Sequence, residues 1–214
     1  MKVSVIGLGK AGLPLAAVIA DNGIEVRGID VSKERVDLIN KGINPIPEEP
    51  ELGDILKKYG GNRLKAFNDY SSIKECSAHI VIVPLFIDEN KKPDLSMIKS
   101  ASKKLAVNIK DDDLVVLETT VPPETTERLV KSILDKSGKK YYLAYSPERI
   151  MTGYSISRYR EFPKVVGGVD EESGKKAYEL YSKFCKKVNL VSNASDCAEA
   201  IKARLYGPSE EVTL

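Results

Sequence analysis

The sequence predicts an α/β fold with a doubly wound, mainly parallel sheet. Short apolar segments alternate with segments of helical periodicity along almost the whole chain, which is the pattern of repeated βαβ units. Most of the apolar segments are hydrophobic at successive positions, as expected of strands that have helices packed on both faces. A glycine-rich turn at residues 7–12 joins the first of these strands to the first helix.

Eight segments are predicted as strands because they are short and mostly apolar and lie between turn residues. In chain order they cover residues 2–6, 25–29, 64–67, 79–84, 114–118, 141–145, 164–166 and 188–191. The fourth strand should end at Pro84, because proline has no N–H to donate to a neighbouring strand. In such a sheet a ligand binds outside the carboxyl ends of the strands.

Helices are predicted where apolar residues recur on one face. The first helix is predicted to begin at residue 13. The others are predicted, in chain order, at residues 31–41, 54–59, 96–107, 124–137, 171–186 and 194–206. Ser32 is the predicted N-cap of the second helix, and Gly42 is its predicted stop. Residues 43–52 contain three prolines and are predicted to form a loop.

The composition is that of a globular protein and excludes several classes of partner. The chain has 214 residues, 42% of them hydrophobic and 30% charged, with a net charge of +2. This length suits one domain and the start of another. The small net charge gives no reason to expect a nucleic acid or a membrane, and no apolar run approaches the roughly 20 residues of a membrane span. No signal peptide is expected, since the chain starts directly with a strand.

The three cysteines indicate a reducing compartment. Cys76, Cys185 and Cys197 are odd in number and widely spaced, and they form neither a disulfide framework nor a metal-ligand cluster. We therefore expect a cytoplasmic protein with no bound metal.

The turn Gly7-Leu8-Gly9-Lys10-Ala11-Gly12 has the Gly-x-Gly-x-x-Gly spacing of a Rossmann-like dinucleotide-binding site. Gly7 permits the tight turn, Gly9 lets a pyrophosphate approach the backbone, and Gly12 lets the helix pack closely on the sheet. Asp30 follows the second strand, 18 residues after Gly12, where a carboxylate can bind ribose hydroxyls. That carboxylate would repel a 2′-phosphate, so the predicted cofactor is NAD rather than NADP. The alternative is an ordinary strand-to-helix turn.

Two hydroxyl groups follow the fifth predicted strand. Thr119 and Thr120 precede a double proline that stiffens the loop, and either hydroxyl could bind a nicotinamide amide or a substrate hydroxyl. The alternative role is helix capping. It is predicted for Thr125, with Glu127 in the first turn, but it does not account for Thr119 and Thr120.

A carboxylate follows the sixth predicted strand. Glu148 comes directly after Pro147, which restricts the backbone, and it could hold a water molecule or act as a general base. The alternative is a surface carboxylate paired with Arg149, which residue type alone favours.

Six segments extend this pattern well beyond the glycine turn. They are residues 5–16, 40–46, 92–96, 118–127, 145–153 and 163–168, and they include Thr-Thr-Val-Pro-Pro at 119–123 and Ser-Pro-Glu-Arg at 146–149. Together, in this order, they resemble the N-terminal part of the UDP-glucose/GDP-mannose dehydrogenase family. The resemblance is closest to the branch that oxidises a UDP-N-acetylhexosamine to the uronate.

The resemblance implies NAD-dependent oxidation of a sugar C6 alcohol to a carboxylate in two hydride transfers, for synthesis of surface polysaccharide or glycan precursors. Thr120 matches a threonine that helps to hold a water, and Glu148 matches an acid proposed to assist thioester hydrolysis. Lys202 matches a lysine that stabilises the developing oxyanion. These three are the predicted catalytic residues. The predicted cofactor-binding residues are Gly7, Leu8, Gly9, Ala11, Gly12, Asp30, Arg35, Pro84, Thr119 and Thr120.

The chain departs from the family pattern in its last part. The family uses a nucleophilic cysteine in a glycine-rich motif of a second domain, and no cysteine here has such flanks. Residues 1–192 are therefore predicted as the cofactor domain and residues 193–214 as the start of a central linker helix. Gly207-Pro208 should end that helix early. A full-length relative is expected to be a homodimer that binds a nucleotide sugar.

Two alternatives to a nucleotide-sugar 6-dehydrogenase stay open. One is a non-catalytic NAD-binding module, or one piece of a split enzyme, which the absence of the cysteine motif favours. The other is a β-hydroxyacid-type dehydrogenase, which would share the glycine turn and Asp30 but would not need the segment at residues 146–150.

Overall fold

A computed structural model describes residues 1–90, 92–148 and 152–197 of the protein, and it confirms the predicted α/β fold. Eight strands form one sheet, and two short strands form a separate hairpin. The strands are β1 Lys2–Ile6, β2 Glu25–Ile29, β3 Leu64–Phe67, β4 Ala78–Val81, β5 Phe86–Ile87, β6 Pro93–Asp94, β7 Asp113–Leu117, β8 Tyr141–Tyr145, β9 Lys164–Gly168 and β10 Val188–Leu190. The α-helices are α1 Gly12–Asp21, α2 Lys33–Asn40, α3 Pro50–Tyr59, α4 Ser96–Ala106, α5 Lys131–Leu134, α6 Ser155–Glu161 and α7 Glu171–Tyr181.

The sheet is mainly parallel, as predicted. Its order is β10-β9-β8-β7-β4-β1-β2-β3, and the six strands from β8 to β3 run in the same direction. Strand β9 pairs antiparallel with β8, and β10 runs parallel to β9. The reversal places the start of β9 beside the carboxyl ends of the parallel strands.

Two hydrophobic clusters cover the two faces of the sheet. Val3 and Val5 of β1 belong to the cluster that packs around α1, whereas Ile6 of the same strand belongs to the cluster that includes the buried face of α4. Helix α1 is apolar on nearly all sides because it is surrounded: every residue from Gly12 to Ala20 is buried. This two-sided burial explains the continuous apolar character of the strands.

Several element boundaries differ from the predictions. Helix α3 begins at Pro50 and not at residue 54, because a proline is accepted in the first helical turn, where its missing N–H is not needed. Strand β4 ends at Val81, before Pro84, and α7 ends at Tyr181 rather than at residue 186.

The predicted helix at residues 124–137 is irregular. It starts with a π-helical turn at Thr125–Val130, continues as α5 and ends in a 3₁₀ turn at Asp135–Ser137. Helix α6, the β5–β6 hairpin and a 3₁₀ helix at Tyr70–Glu75 were not predicted. Within the residues that the structure describes, no helix has the length and apolarity needed to cross a membrane.

Candidate functional site

A cleft of about 860 Å³ lies at the carboxyl ends of the parallel strands. It is lined by the glycine turn after β1, by the residue after β2 and by the loops after β4, β7 and β8. Among the residues predicted for the site, the cleft brings together Gly7, Gly9, Ala11, Gly12, Asp30, Arg35, Pro84, Thr119, Thr120 and Glu148. This is the edge of the sheet at which a doubly wound fold binds its ligand.

The three glycines of the turn differ in what surrounds them. Gly7 has φ +99°, and a Cβ there would lie 2.5 Å from the Ile82 carbonyl oxygen. A Cβ on Gly12 would lie 1.8 Å from the Gly7 carbonyl oxygen, so only glycine allows the turn and α1 to pack this closely. A Cβ on Gly9 would meet nothing within 4 Å. The turn therefore packs tightly at Gly7 and Gly12, whereas Gly9 borders open space.

Asp30 is almost fully buried beside this turn. Its Oδ2 accepts a hydrogen bond from the Leu8 amide at 2.9 Å, and its Oδ1 accepts one from the Ser32 amide at 2.9 Å. The Arg35 guanidinium lies 3.3 Å from both oxygens. The Leu8 side chain lies in the core, so Leu8 meets the site only through its backbone. The carboxylate is held rigidly with its acceptor oxygens at the cleft.

The two threonines after β7 have different surroundings. The Thr119 hydroxyl donates to the Val83 carbonyl at 2.7 Å, which ties the loops after β4 and β7 together. Thr120 is exposed, and its hydroxyl lies 3.5 Å from the Glu148 carbonyl oxygen. The predicted capping by Thr125 is wrong, because its hydroxyl donates backwards to the Pro122 carbonyl. Glu127 is in the first turn of that helical segment, as predicted.

Glu148 is not the surface carboxylate that residue type favoured. Its side chain is only 13% exposed, and its Oε2 accepts a hydrogen bond from Lys164 Nζ at 2.7 Å. The Glu148 amide donates to the Glu118 carbonyl at 3.1 Å, so the loop after β8 runs alongside the end of β7. Arg149, the predicted partner, and Lys202, the third predicted catalytic residue, lie outside the described residues, as do Gly207 and Pro208.

A buried charged cluster at this end of the cleft was not predicted from the sequence. Glu118 is fully buried, and its Oε2 lies 3.0 Å from Lys164 Nζ. The hydroxyl of Tyr181 donates to Glu118 Oε1. Tyr159 and Tyr181 both place their rings within 5.5 Å of the Lys164 ammonium. The sequence does contain a signal for this cluster, since Glu118 and Lys164 are charged residues at the ends of predicted apolar strands.

The cluster shifts the ionisation of its own members. Burial raises the pKa of the Glu118 carboxyl to about 7, although Lys164 opposes the shift. Burial by itself would lower the pKa of Lys164, but the carboxylates of Glu118 and Glu148 outweigh it and hold that pKa above its usual value. Burial also raises the pKa values of Tyr159 and Tyr181 well above the usual value. Both phenols therefore stay protonated as donors.

The three cysteines are buried and free. Burial raises the pKa of the Cys76 thiol to about 11 and those of Cys185 and Cys197 to about 12. A thiol that stays protonated at neutral pH is a poor nucleophile. None of these three has the environment of a catalytic cysteine.

His79 is a buried part of the sheet. Its Nδ1 lies 2.8 Å from the Ser4 hydroxyl, and its Nε2 lies 3.1 Å from Asp113 Oδ2. Both ring nitrogens thus have partners on neighbouring strands, away from the cleft lining.

The chain is similar in sequence to known proteins. Residues 1–185 match the profile of the NAD binding domain of the UDP-glucose/GDP-mannose dehydrogenase family. The UDP-N-acetyl-D-mannosamine dehydrogenase of Methanococcus maripaludis strain C7 is 37% identical over 205 residues, which are 94% of this chain and 46% of that protein. The chain thus spans about half the length of the relatives it matches.

Solved structures agree with the sequence comparison. The structure of a UDP-D-ManNAc dehydrogenase from Pyrococcus horikoshii superposes with a TM-score of 0.89 at 30% identity, covering 95% of this chain and 50% of that one. A ternary complex of GDP-mannose dehydrogenase from Pseudomonas aeruginosa superposes with a TM-score of 0.86 at 28% identity, covering 96% of this chain and 49% of that one.

Proposed function

Because this chain belongs to the UDP-glucose/GDP-mannose dehydrogenase family, we propose that it is the cofactor half of an enzyme that oxidises the C6 alcohol of a UDP-N-acetylhexosamine to the uronate. In this proposal residues 1–192 form the NAD-binding domain and residues 193–214 start the connection to the second half. We place this enzyme in the cytoplasm, where it makes precursors for surface polysaccharide or other glycans, and we expect a full-length relative to be a homodimer.

The surroundings of the glycine turn are the observation on which the proposal depends. Gly9 leaves open space where a pyrophosphate has to approach the backbone, while Gly7 and Gly12 permit the close packing behind it. Asp30 presents carboxylate oxygens at the same cleft, where they accept hydrogen bonds from ribose hydroxyls and repel a 2′-phosphate. The residues present fit NAD, and Arg35 and Pro84 line the same cleft.

We place the chemical steps at the end of the cleft that is formed by Thr120 and Glu148. NAD, when bound, accepts a hydride from the sugar carbon. Oxidation to the carboxylate also requires a water molecule, whose proton must be removed. The Thr120 hydroxyl lies 3.5 Å from the Glu148 backbone carbonyl oxygen, so both residues are at this end. Following the family resemblance, we assign Thr120 to holding the water and Glu148 to accepting its proton. Lys202 is assigned to stabilising the oxyanion by the family resemblance alone.

The cysteines favour one alternative, a non-catalytic NAD-binding module or one piece of a split enzyme. All three are buried, and their thiols are held protonated. If this chain is active, the nucleophile is supplied from elsewhere, by a further segment or by a partner chain.

Calorimetry with NAD and with NADP tests the cofactor assignment. We expect binding of NAD and at least about tenfold weaker binding of NADP, equivalent to about 1.4 kcal/mol. No heat of binding with either cofactor would refute the proposal at its first step.

A second assay separates the functional alternatives. NADH formation is followed by absorbance with UDP-N-acetylmannosamine, UDP-N-acetylglucosamine, GDP-mannose or a β-hydroxyacid as the substrate. Turnover of a UDP-N-acetylhexosamine supports the proposal, whereas turnover of the β-hydroxyacid supports the other dehydrogenase class. A chain that binds NAD but oxidises none of them is a binding module or one piece of an enzyme.

A further inference from the structure

One buried ammonium group joins two carboxylates at the Thr120 end of the cleft. Lys164 Nζ lies 3.0 Å from Glu118 Oε2 and 2.7 Å from Glu148 Oε2, and the Lys164 side chain is only 8% exposed. We propose that Lys164 is a positioning residue that holds Glu148 at the cleft in its ionised, proton-accepting form. The role in catalysis rests on the function proposed above, whereas the link between the two side chains can be tested without it.

The position of Lys164 is set by the fold rather than by a flexible side chain. Lys164 is the first residue of β9, and its amide donates to the Lys187 carbonyl at 2.9 Å. Its ammonium lies between the rings of Tyr159 and Tyr181, 5.5 Å and 5.3 Å from their centroids. An ammonium near aromatic faces is attracted to them. The group is thus fixed where it meets both carboxylates.

The two carboxylates need a cation between them. The Glu148 amide donates to the Glu118 carbonyl, which brings the two residues together at the ends of adjacent strands. A buried and a half-buried carboxylate that share one ammonium cannot both ionise easily without it, whereas an opposite charge within about 4–6 Å favours the charged form. The Tyr181 hydroxyl also donates a hydrogen bond to Glu118 and so stabilises its ionised form. Lys164 therefore allows Glu148 to remain a base beside Glu118.

Glu148 also faces a second space. A small cavity of about 20 Å³ lies next to Glu148 and Lys164 and is lined in addition by Arg158 and Tyr159. A polar cavity of this size has room for one water molecule. Within the described part of the chain, the titratable and charged groups that face the pair are Glu118, Arg158, Tyr159, Tyr181 and Cys185.

The test follows the ionisation of Glu148 directly. Carbon-13 NMR of side-chain carboxyls is recorded as a function of pH for the glutamate-labelled chain, and Glu148→Gln and Glu118→Gln identify the two resonances by their loss. In Lys164→Met we expect the titration midpoint of Glu148 to rise by about one pH unit or more. Lys164→Arg keeps the charge and should restore a midpoint close to that of the original chain.

Matched controls separate positioning from a purely structural role. Lys175→Met removes the exposed pair between Lys175 and Glu171 and should leave the Glu148 midpoint unchanged. A merely structural lysine would lower the melting temperature in Lys164→Met without moving that midpoint. An unmoved Glu148 midpoint in a folded Lys164→Met variant overturns the proposal.

A second variant keeps the test decisive if Lys164→Met does not fold. Glu148→Gln removes the negative charge that raises the pKa of Glu118 and leaves Lys164 to Glu118 alone, so the Glu118 midpoint should fall. An unchanged Glu118 midpoint in Glu148→Gln contradicts the linked cluster. NAD calorimetry on the same samples separates the proposed function from the role of Lys164. If the original chain does not bind NAD, the proposed function is refuted, whereas an unmoved titration midpoint refutes only the role of Lys164.

Discussion

At the scale of single residues, we expect the choice between NAD and NADP to depend on Asp30. Its carboxylate accepts hydrogen bonds from the Leu8 and Ser32 amides and pairs with Arg35, so it cannot turn away from the cleft. A preorganised acceptor binds ribose hydroxyls without first having to be ordered. The Arg35 guanidinium contacts Asp30 through Nη1, so part of its positive charge is already compensated by this carboxylate.

Asp30→Ala should weaken NAD binding by about tenfold or more, since hydrogen bonds to a charged group contribute about 1.5–3 kcal/mol. The same change should reduce discrimination against NADP, because the repelling charge is lost and Arg35 is released. Calorimetry with both cofactors measures the effect. Asp37→Ala, on the exposed side of α2, is the control, and equal NAD affinity in Asp30→Ala would contradict the assignment.

The glycine turn predicts opposite effects for two similar changes. Gly9→Ala should leave the free energy of unfolding within about 0.5 kcal/mol but weaken NAD binding, because the methyl group enters open space at the cleft. Gly12→Ala should destabilise the fold by about 1–3 kcal/mol or more, because its Cβ would clash with the Gly7 carbonyl. Urea unfolding and calorimetry separate the two. Equal stability of both variants would show that the turn is more tolerant than its packing indicates.

Glu148→Gln should leave NAD affinity within about a factor of two, a difference of less than 1 kcal/mol. The reason is that Glu148 lies at the Thr120 end of the cleft and not beside Asp30. Calorimetry checks this, with Glu124→Gln as the control for an exposed carboxylate paired with Arg128. A large loss of NAD affinity in Glu148→Gln alone would assign Glu148 to cofactor binding instead.

At the scale of elements, the loop before α3 and the start of α6 are joined by one buried carboxylate. Glu49 is 1% exposed and accepts hydrogen bonds from the Gly153 amide at 2.6 Å and from the Ser155 amide at 3.1 Å. The Ser155 hydroxyl also donates to it. Helix α6 in turn supplies Tyr159, whose hydroxyl donates to the Ala11 carbonyl of the glycine turn. Through Tyr159, helix α6 contacts both the glycine turn and Lys164 at the Thr120 end of the cleft.

Glu49→Ala should destabilise the protein by about 1.5–3 kcal/mol, because the Gly153 and Ser155 amides lose a charged partner. For a chain of this length each 1 kcal/mol lowers the melting temperature by about 2–4 °C, and calorimetric unfolding measures it. Glu48→Ala removes only the exposed pair with Lys10 and is the matched control, with a change within about 0.5 kcal/mol. Equal effects of the two substitutions would rule out the anchoring role of Glu49.

Elements with a strong local signal were predicted closely. The bounds of β1, β2, β3 and β8 coincide with the predictions, because short apolar segments between turn residues have few alternatives in a buried sheet. Helix α6 was missed because Ser155–Glu161 has only seven residues. Its position depends on Glu49, which is distant in the sequence.

At the scale of the whole molecule, the buried thiols and a buried phenol make the folded state less stable at alkaline pH than at neutral pH. Burial raises the pKa values of Cys76, Cys185 and Cys197 to about 11 or 12 and that of Tyr145 to about 12. The unfolded chain loses these protons near the ordinary values of about 8.5 for cysteine and about 10 for tyrosine. Between the two sets of values the unfolded chain binds fewer protons, so stability falls as pH rises.

The free energy of unfolding should therefore decrease above about pH 8.5, by about 1.4 kcal/mol per pH unit for each group that ionises only in the unfolded chain. Urea unfolding at a series of alkaline pH values measures this slope. Replacing the three buried cysteines by alanine should flatten the first part of the decrease. A stability that stays constant from neutral pH to about pH 11 would contradict burial of these groups.

The sequence predicts the eight strands of the main sheet, the glycine turn, Asp30 and the edge of the sheet at which they meet, because these depend on local pattern and on general rules for parallel strands. It also supplied Thr120 and Glu148 as residues at strand ends. It does not predict the β5–β6 hairpin. The place of Lys164 in this site depends instead on how distant strands pair. In a parallel strand the first residue lies at the opposite edge of the sheet, whereas the antiparallel pairing of β9 with β8 brings Lys164 to Glu118 and Glu148.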